Sequence, residues 1–317
     1  MPAGSVSART TAARPPLHLV DASIYIFRAW YSVSPESMTD GNGQPVNALF
    51  GFSRFLGELL RLEKPAHIGI AFDESLSNSF RNEIYPEYKA NREPAPEELK
   101  NQFSRCKAVA RAMGLPVFSS NRYEADDIIG SLAAWWRERD GRSIFVTRDK
   151  DLAQLLRPGD EYWDFAGRRR LQYEGIKEYY GVHPEQIADF LALTGDSVDN
   201  IRGVPGVGAK TAEKLLGRFA DLETLYAGLD QVQGLAIRGA ARIVKALDEN
   251  RDVAFFARRL TRIACDMDLA LDDDSLRRLA PDTDALDAIY AEAGFGKTLS
   301  SQARRLADQF PAAAEQP

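Results

Sequence analysis

Three short apolar runs in this chain each lead to an aspartate, and they limit the folds that the chain can adopt. The runs are LHLVD at 17–21, HIGIAFD at 67–73 and SIFVTRDKD at 143–151. Between the first two, apolar residues recur at helical spacing: Val46, Leu49, Phe52, Phe55, Leu56, Leu59 and Leu60. Short strands that alternate with helices predict an α/β fold, in which a twisted, mainly parallel sheet is flanked by helices.

The remaining segments predict the order of the domains. LPVF at 115–118 and EYWDF at 161–165 are candidates for a fourth and a fifth strand. The segment 78–111 is mixed in charge and broken by prolines, so we expect a functional or disordered excursion from the sheet. From Pro184 the pattern predicts helices joined by short loops. We therefore predict a disordered tail at 1–16, an α/β domain at 17–183, a helical region at 184–308 and a frayed tail at 309–317.

Acidic residues follow these apolar runs or stand at predicted helix starts. Because the carboxyl ends of parallel strands meet at one edge of a sheet, where ligands usually bind, we expect the acids to converge there. Carboxylates brought together would repel one another without cations, and hard divalent ions take oxygen ligands. We therefore predict a cage for two Mg²⁺ or Mn²⁺ ions, which indicates phosphate chemistry. The candidate ligands are Asp21, Asp73, Glu124, Asp126, Asp127, Asp149, Asp151, Asp196 and Asp199.

Each acidic cluster also has an ordinary structural explanation. Glu124, Asp126 and Asp127 could cap a helix, since acids are favoured in a first turn. Asp149 with Asp151 could belong to a plain turn, and the DxxD at 196–199 could cap another helix. The metal prediction depends on all clusters occurring together in one chain.

The string IRGVPGVGAKTAEKLL at 201–216 predicts a tight turn before a helix. Gly206 and Gly208 allow backbone N–H groups to approach an oxyanion, the helix N-terminus adds partial positive charge, and Lys210 lies in the first turn. This pattern favours a helix-hairpin-helix that holds a DNA phosphate. A plain αα-hairpin turn is the alternative.

Composition limits the class of protein. The chain has 317 residues, 44% hydrophobic, and no apolar run long enough to span a membrane, so we predict a cytoplasmic protein with no membrane partner. Two cysteines without a CxxC spacing fit a reducing compartment. A net charge of −6 argues against nonspecific coating of nucleic acid. Binding to phosphates would then depend on local basic groups, namely Arg81, Lys89, Arg92, Arg202 and Lys210.

Several blocks of this sequence resemble, in order and spacing, the signature blocks of the 5′-nuclease family. The blocks are VDASIYIFRAWY, AFDESLSNSFRNEIYPEYKANR, YEADDIIGSLA, VTRDKDLAQLL and LTGDSVDNIRGVPGVGAKTAEKLL. The family includes flap endonucleases, phage 5′-exonucleases and the N-terminal domain of bacterial DNA polymerase I. The resemblance covers residues 17–300 and implies a resolvase/PIN-like fold with a helical arch at about 78–111, followed by an all-α helix-hairpin-helix domain.

The resemblance also implies roles for individual residues. The first metal site would use Asp21, Asp73, Glu124 and Asp126, with Asp127 close by, and the second Asp149, Asp151, Asp196 and Asp199. Lys89 and Arg92 match the basic pair of the arch that contacts the scissile phosphate, and Arg81 and Tyr85 lie in the same block. The helix-hairpin-helix would grip duplex DNA, with a K⁺ ion on its backbone carbonyls, through Arg202, Gly203, Gly206, Gly208, Lys210 and Thr211.

The implied function is that of a metal-dependent 5′→3′ exonuclease and flap endonuclease. Its substrate would be DNA with a free 5′ end, a flap or a duplex junction, and its products would carry 5′-phosphate and 3′-hydroxyl ends. We expect a stand-alone nuclease with a separate DNA polymerase as a candidate partner; a piece of a longer polymerase is the alternative. A ribonuclease with a related acid cage and a non-catalytic DNA-binding scaffold are the competing functions.

Overall fold

A six-stranded sheet forms the centre of the first half of the protein. The computed structural model describes residues 14–74 and 79–310. The strands lie in the order β3-β2-β1-β4-β5-β6, and all neighbours are parallel except β6, which is antiparallel to β5. Their bounds are β1 Leu17–Asp21, β2 His67–Asp73, β3 Val117–Ser120, β4 Ser143–Val146, β5 Glu161–Asp164 and β6 Arg169–Gln172.

The predicted mainly parallel sheet is confirmed, with two differences. The strand predicted at 115–118 corresponds to β3, which begins at Val117, two residues later than expected. The sequence analysis missed β6, whose residues RRLQ are polar and almost all exposed. An antiparallel strand at the edge of a sheet needs no buried face, and for this reason it has no apolar signal.

Alternation along the strands directs side chains into two cores on opposite faces of the sheet. In β1, Leu17 and Leu19 belong to one core and Val20 belongs to the other. Helices α1, α2 and α4 cover the second face, while α5 covers the first. The helices of this half are α1 Ala22–Ser32, α2 Asn47–Glu63, α3 Phe80–Ile84, α4 Glu97–Ala112, α5 Ala125–Arg137 and α6 Tyr173–Tyr180, with short 3-10 turns at Pro35–Ser37 and Asp151–Leu155.

The predicted excursion at 78–111 is shorter in the structure. Asn78 lies outside the described residues, and α4 is a regular helix whose Leu99, Cys106 and Val109 are fully buried in the second core. Apolar residues at this helical spacing anchor α4 to the sheet. The irregular part is therefore confined to residues 79–96.

Helices pack on one another after residue 183, as predicted for 184–195 and 209–219. A 3-10 turn at Pro184–Gln186 leads into α7, which packs against α8 and α11. The helices are α7 Ile187–Thr194, α8 Ala209–Arg218, α9 Leu222–Ala227, α10 Ala240–Glu249 and α11 Arg251–Thr261, with a 3-10 turn at Leu229–Gly234.

The prediction of short loops up to residue 308 is wrong for residues 262–282. This segment is extended and crosses back to the sheet, where the Leu276 carbonyl accepts the N–H of Ile68 at 2.8 Å. The last helices, α12 Thr283–Glu292 and α13 Lys297–Ala307, then bury Leu286, Tyr290 and Leu299 in the second core of the α/β half. Most of the predicted tails, 1–13 and 311–317, lies outside the described residues.

Two glycines lie back to back where the turn after α7 meets the start of the hairpin. Gly195 has φ +75°, and a Cβ on Gly203 would lie 2.2 Å from its backbone nitrogen. We expect Gly203→Ala to lower the free energy of unfolding by about 1–3 kcal/mol, because the contact involves backbone that cannot yield. Urea denaturation would measure this. Gly217→Ala, in α8 with open space around it, should be neutral or stabilising; equal losses in both variants would refute the contact.

Candidate active site

The carboxyl edge of the sheet forms one side of an acidic cavity of about 490 Å³. Asp21 and Asp73 are the last residues of β1 and β2, and the other acids follow β3, β4 and α7. The cavity brings together eight of the nine predicted ligands: Asp21, Asp73, Glu124, Asp126, Asp149, Asp151, Asp196 and Asp199. Convergence at the carboxyl edge follows from the parallel order of the strands.

Capping contacts hold some of these acids in place without using all of their oxygens. Asp21 caps α1 by accepting the N–H of Ile24 at 3.3 Å, and its other oxygen accepts the Thr147 hydroxyl at 3.1 Å. One oxygen of Asp73 accepts the N–H of Ala125 at 2.8 Å, at the start of α5. The capping explanation offered for the cluster at 124–127 is partly correct, since Asp127 accepts the N–H of Glu124 at 3.1 Å at the start of α5.

The inner carboxylates lie close to one another in the cavity, and Asp21 is the most enclosed of them at 5% exposed. Burial, with the charges of Asp73 and Asp149, raises the pKa of Asp21 to about 7. Burial and neighbouring acids also raise the pKa of Asp126 and of Asp151 well above the usual range. One oxygen of Asp151 is buried without a hydrogen-bond partner. Such a set repels itself when ionised, and either protonation or bound cations would relieve that repulsion.

Three basic side chains neutralise the outer acids. Lys89 lies 2.8 Å from Glu124, and Arg92 pairs with Asp199. Burial alone would raise the pKa of Asp196, but the Lys150 ammonium at 3.0 Å leaves that pKa lowered. No salt bridge reaches the inner five in the described part of the chain, namely Asp21, Asp73, Asp126, Asp149 and Asp151.

The sequence analysis missed Tyr88. Its phenol is 3% exposed and lies within hydrogen-bond distance of Glu124, at 3.0 Å, and Asp199, at 3.1 Å. Backbone contacts join the same segment to the acidic turn after α7, since the Lys89 N–H donates to the Asp199 carbonyl at 3.0 Å. The sequence did contain a signal for Tyr88, because this aromatic residue directly precedes Lys89 of the predicted basic pair.

Asp127 is a correction to the predicted ligand set. Asp127 does not line the cavity. Its two oxygens accept a bidentate pair of hydrogen bonds from Arg81, at 2.7 and 2.9 Å, and one of these oxygens also accepts the N–H of Ala264 at 2.8 Å. Arg81, predicted as catalytic, is 2% exposed and also donates to the Leu260 carbonyl at 2.7 Å. The pair therefore connects α3, α5 and the end of α11, and Arg81 also lines the cavity, 3.6 Å from Glu124.

Tyr85 also lies outside the acidic cavity. Its hydroxyl is 3.2 Å from the Asn200 carbonyl, and its ring meets Phe256 edge to face, with centroids 5.7 Å apart. These two rings and exposed Arg202 line a separate groove of about 540 Å³. The catalytic role expected for Tyr85 therefore stays a prediction, and in this structure Tyr85 does not line the acidic cavity.

The hairpin places its predicted residues in different environments. Gly206, at φ +83°, and Gly208 have open space around them, and Lys210 is exposed. Gly208 starts α8 with φ −94°, so it needs no left-handed conformation. Gly203 is packed against Gly195, and Thr211 donates its backbone N–H to Gly208. The open face of the hairpin is therefore formed by Gly206, Gly208 and Lys210.

Two models of 5′-3′ exonucleases match consecutive parts of the chain. The N-terminal resolvase-like domain matches residues 16–181, and the C-terminal SAM fold matches residues 182–284. The chain belongs to the 5′-3′ exonuclease family. This confirms the resemblance seen in the sequence and the prediction of a nuclease.

Curated relatives are longer proteins. DNA polymerase I of Pseudomonas aeruginosa is 41% identical over 290 residues, which cover 91% of this chain and 31% of the relative. DNA polymerase I of Mycobacterium tuberculosis H37Rv is 37% identical over 289 residues, with 89% and 31% covered. The chain thus spans about a third of the length of these relatives.

Solved structures share the fold. A structure described as T5 5′-exonuclease with bound divalent metal ions (zinc) has 22% identity and a TM-score of 0.62, covering 92% of this chain and 98% of its own. Human GEN1 in complex with Holliday junction DNA has 13% identity and a TM-score of 0.58, covering 92% and 71%. At these identities the likeness shows the fold alone. No helix within residues 14–74 and 79–310 has the length and apolar character needed to cross a membrane.

The raised pKa of Asp21 predicts how stability depends on pH. Its value of about 7 in the folded protein exceeds the unfolded value, so the native state binds more protons in the window between them. Stability should therefore fall as pH rises through that window. We expect the Tm in chelator to fall between about pH 4 and about pH 7, and Asp21→Asn to raise the Tm at the upper end of that window.

A matched control is Asp266→Asn, which removes one charge at an exposed position without a salt bridge. The pH dependence of its Tm should equal that of the parent protein. An Asp21→Asn variant whose melting curve follows the parent at every pH would show that Asp21 does not experience the repulsion described above.

Proposed function

We propose that this protein is a divalent-metal-dependent 5′→3′ exonuclease and flap endonuclease that hydrolyses DNA phosphodiester bonds. The observation that supports this function is the cavity with eight carboxylates, five of which have no basic partner among the described residues. The family of the chain supplies the reaction class. The products would carry 5′-phosphate and 3′-hydroxyl ends.

The residues present fit two Mg²⁺ or Mn²⁺ ions. Oxygen donors are the ligands these hard cations prefer, and the raised pKa values together with the unpartnered Asp151 oxygen indicate a deficit of positive charge. Bound ions would orient a water nucleophile and neutralise the phosphodiester. We propose Asp21, Asp73, Glu124 and Asp126 as ligands of the first ion and Asp149, Asp151, Asp196 and Asp199 as ligands of the second.

Among the described residues, no three acidic, histidine or cysteine side chains are arranged to hold a metal ion in this structure, so binding would require these carboxylates to move. Lys89 is bound to Glu124, and Arg92 is bound to Asp199. If ions take over these carboxylates, the two basic side chains are freed to face the phosphate. Lys89 and Arg92 would then stabilise the negative charge that develops during hydrolysis.

The hairpin would hold duplex DNA at a distance from the acids. Its open face offers backbone N–H groups near Gly206 and Gly208 and the charge of Lys210. A helix N-terminus with free N–H groups favours an oxyanion. We also propose a K⁺ ion on the backbone carbonyls of this hairpin. A DNA polymerase is the proposed partner, because the curated relatives are DNA polymerase I proteins.

Cleavage of an end-labelled, 5′-flapped DNA duplex tests this function. We expect cutting with Mg²⁺, none in excess chelator, and none with Asp149→Ala, although that variant should still bind the DNA because Asp149 is buried in the cavity. The Asp266→Asn variant, which alters charge outside the cavity, should cut like the parent. Turnover in chelator would contradict the metal dependence, and cutting of single-stranded RNA in place of the flap would favour the ribonuclease.

Two lysines should separate the chemical step from DNA binding. Lys89→Ala should lower the single-turnover rate at saturating DNA by about 100-fold, the scale for loss of one transition-state donor. Lys210→Ala should keep that rate and reduce the slope of log affinity against log salt by about one, because each neutralised phosphate releases close to one counterion. Lys245→Ala, which removes an exposed lysine paired with Glu249, is the charge-matched control. A Lys89→Ala variant that changed affinity alone would contradict the assignment.

A further inference from the structure

The antiparallel edge of the sheet carries basic and aromatic side chains that the proposed chemistry does not use. β6 pairs with β5 so that Arg169 lies opposite Asp164, and Arg168 in the preceding turn is exposed. The guanidinium of Arg169 lies 4.4 Å from the ring centroid of Tyr179, at the end of α6. Tyr179 remains 49% exposed, so a large part of its ring is open to solvent.

This surface is continuous with the acidic cavity. Tyr179 and Tyr180 both line the cavity, and their rings meet edge to face with centroids 4.8 Å apart. Arg148, with half of its side chain exposed, lines the same wall and lies 3.5 Å from Asp164. A molecule whose phosphate reached the acids could therefore contact the aromatic surface without crossing other structure.

The three consecutive arginines of this edge differ in their partners. Arg170 is neutralised, since it lies 2.6 Å from Glu63 and 3.3 Å from Glu161 and stacks on Trp163. Neither Arg168 nor Arg169 forms a salt bridge with any described residue. Among the described residues, Arg169 thus carries an unpaired charge beside Tyr179, which lines the cavity, whereas the charge of Arg170 is paired.

An exposed tyrosine with a stacked arginine can be an ordinary surface pair. Here, however, the pair opens into a cavity proposed to receive phosphodiesters, and its charge is uncompensated. Base stacking on aromatic rings combined with arginine contacts to the backbone is how single-stranded nucleic acid is held without sequence preference. A paired duplex would hide its bases from such a surface, so the chemistry favours an unpaired nucleotide.

We propose that Arg168, Arg169 and Tyr179 form a subsite for an unpaired nucleotide of the DNA strand that enters the acidic cavity. The base stacks on the open face of Tyr179, beside Tyr180, and the neighbouring backbone phosphate is bound by the two arginines. The subsite rests on the proposed nuclease function and extends it, because it identifies what part of the substrate lies at this wall.

Binding of labelled DNA to the 317-residue protein tests the subsite, with Ca²⁺ in place of Mg²⁺ to prevent cutting. Tyr179→Ala should weaken binding of a flapped duplex about tenfold, within the range for loss of one base stack. Its binding of a nicked duplex without a flap should be unchanged. Tyr179→Phe should bind the flap like the parent because it keeps the ring. Tyr179→Leu, which keeps the apolar bulk but not the ring, should lose affinity as Tyr179→Ala does.

Arg169→Gln should weaken flap binding and reduce its salt slope by about 0.7, the value per phosphate for single strands. Arg170→Gln changes the charge equally on the paired side of the same strand, so its salt slope should be parental. Abasic nucleotides in the flap should abolish the difference between Tyr179→Ala and the parent. Equal affinities of Tyr179→Ala and the parent for the intact flap, or a loss that persists with abasic flaps, would overturn the subsite.

Cleavage by the parent protein distinguishes this inference from the function on which it rests. A parent that cuts flaps with Mg²⁺ while Tyr179→Ala binds them normally would refute the subsite alone. A parent that does not cut flaps would refute the proposed function. Thermal melting of each variant confirms that the altered binding comes from a folded protein.

Discussion

Repulsion among buried carboxylates is the constraint on which the surrounding structure depends. The parallel strands bring Asp21, Asp73 and Asp149 to one edge, where desolvation raises the pKa of Asp21 and of Asp149. Nearby segments supply positive charge to the outer acids: Lys89 pairs with Glu124, Arg92 with Asp199 and Lys150 with Asp196. The inner acids have no salt-bridge partner among the described residues, and this supports the proposal that bound cations complete the cavity.

The ion pair between Arg81 and Asp127 differs from the salt bridges of the outer acids, because its role is structural. Arg81 and Asp127 are both buried, are joined by two hydrogen bonds, and satisfy further donors and acceptors on neighbouring segments. A pair of this kind holds structure through geometry, since each partner would be a costly uncompensated charge without the other. It fixes α3 and α5 beside the cavity, so the acids at the start of α5 keep their positions.

The sequence predicted what local pattern and strand order determine. Apolar runs that lead to aspartate predicted three strands and the convergence of nine acids, eight of which line the cavity. Contacts between distant segments could not be read in this way: nothing near Asp127 shows that Arg81 will take its oxygens, and nothing near Leu276 shows that the chain returns to β2. Edge strand β6 was missed because a polar exposed strand has no periodic signal, and Tyr88 because its partners lie 36 and 111 residues away.

The return of α12 and α13 to the α/β half affects how the distance between the hairpin and the acidic cavity is fixed. Helices α7 to α11 leave the sheet after α6 and come back to it through the extended segment at 262–282, so both ends of this helical region are tethered. A module anchored at one end could swing, but one anchored at two ends keeps a set distance from the acids. If the hairpin holds a duplex, its fixed distance from the acids sets the number of nucleotides between the junction and the cut.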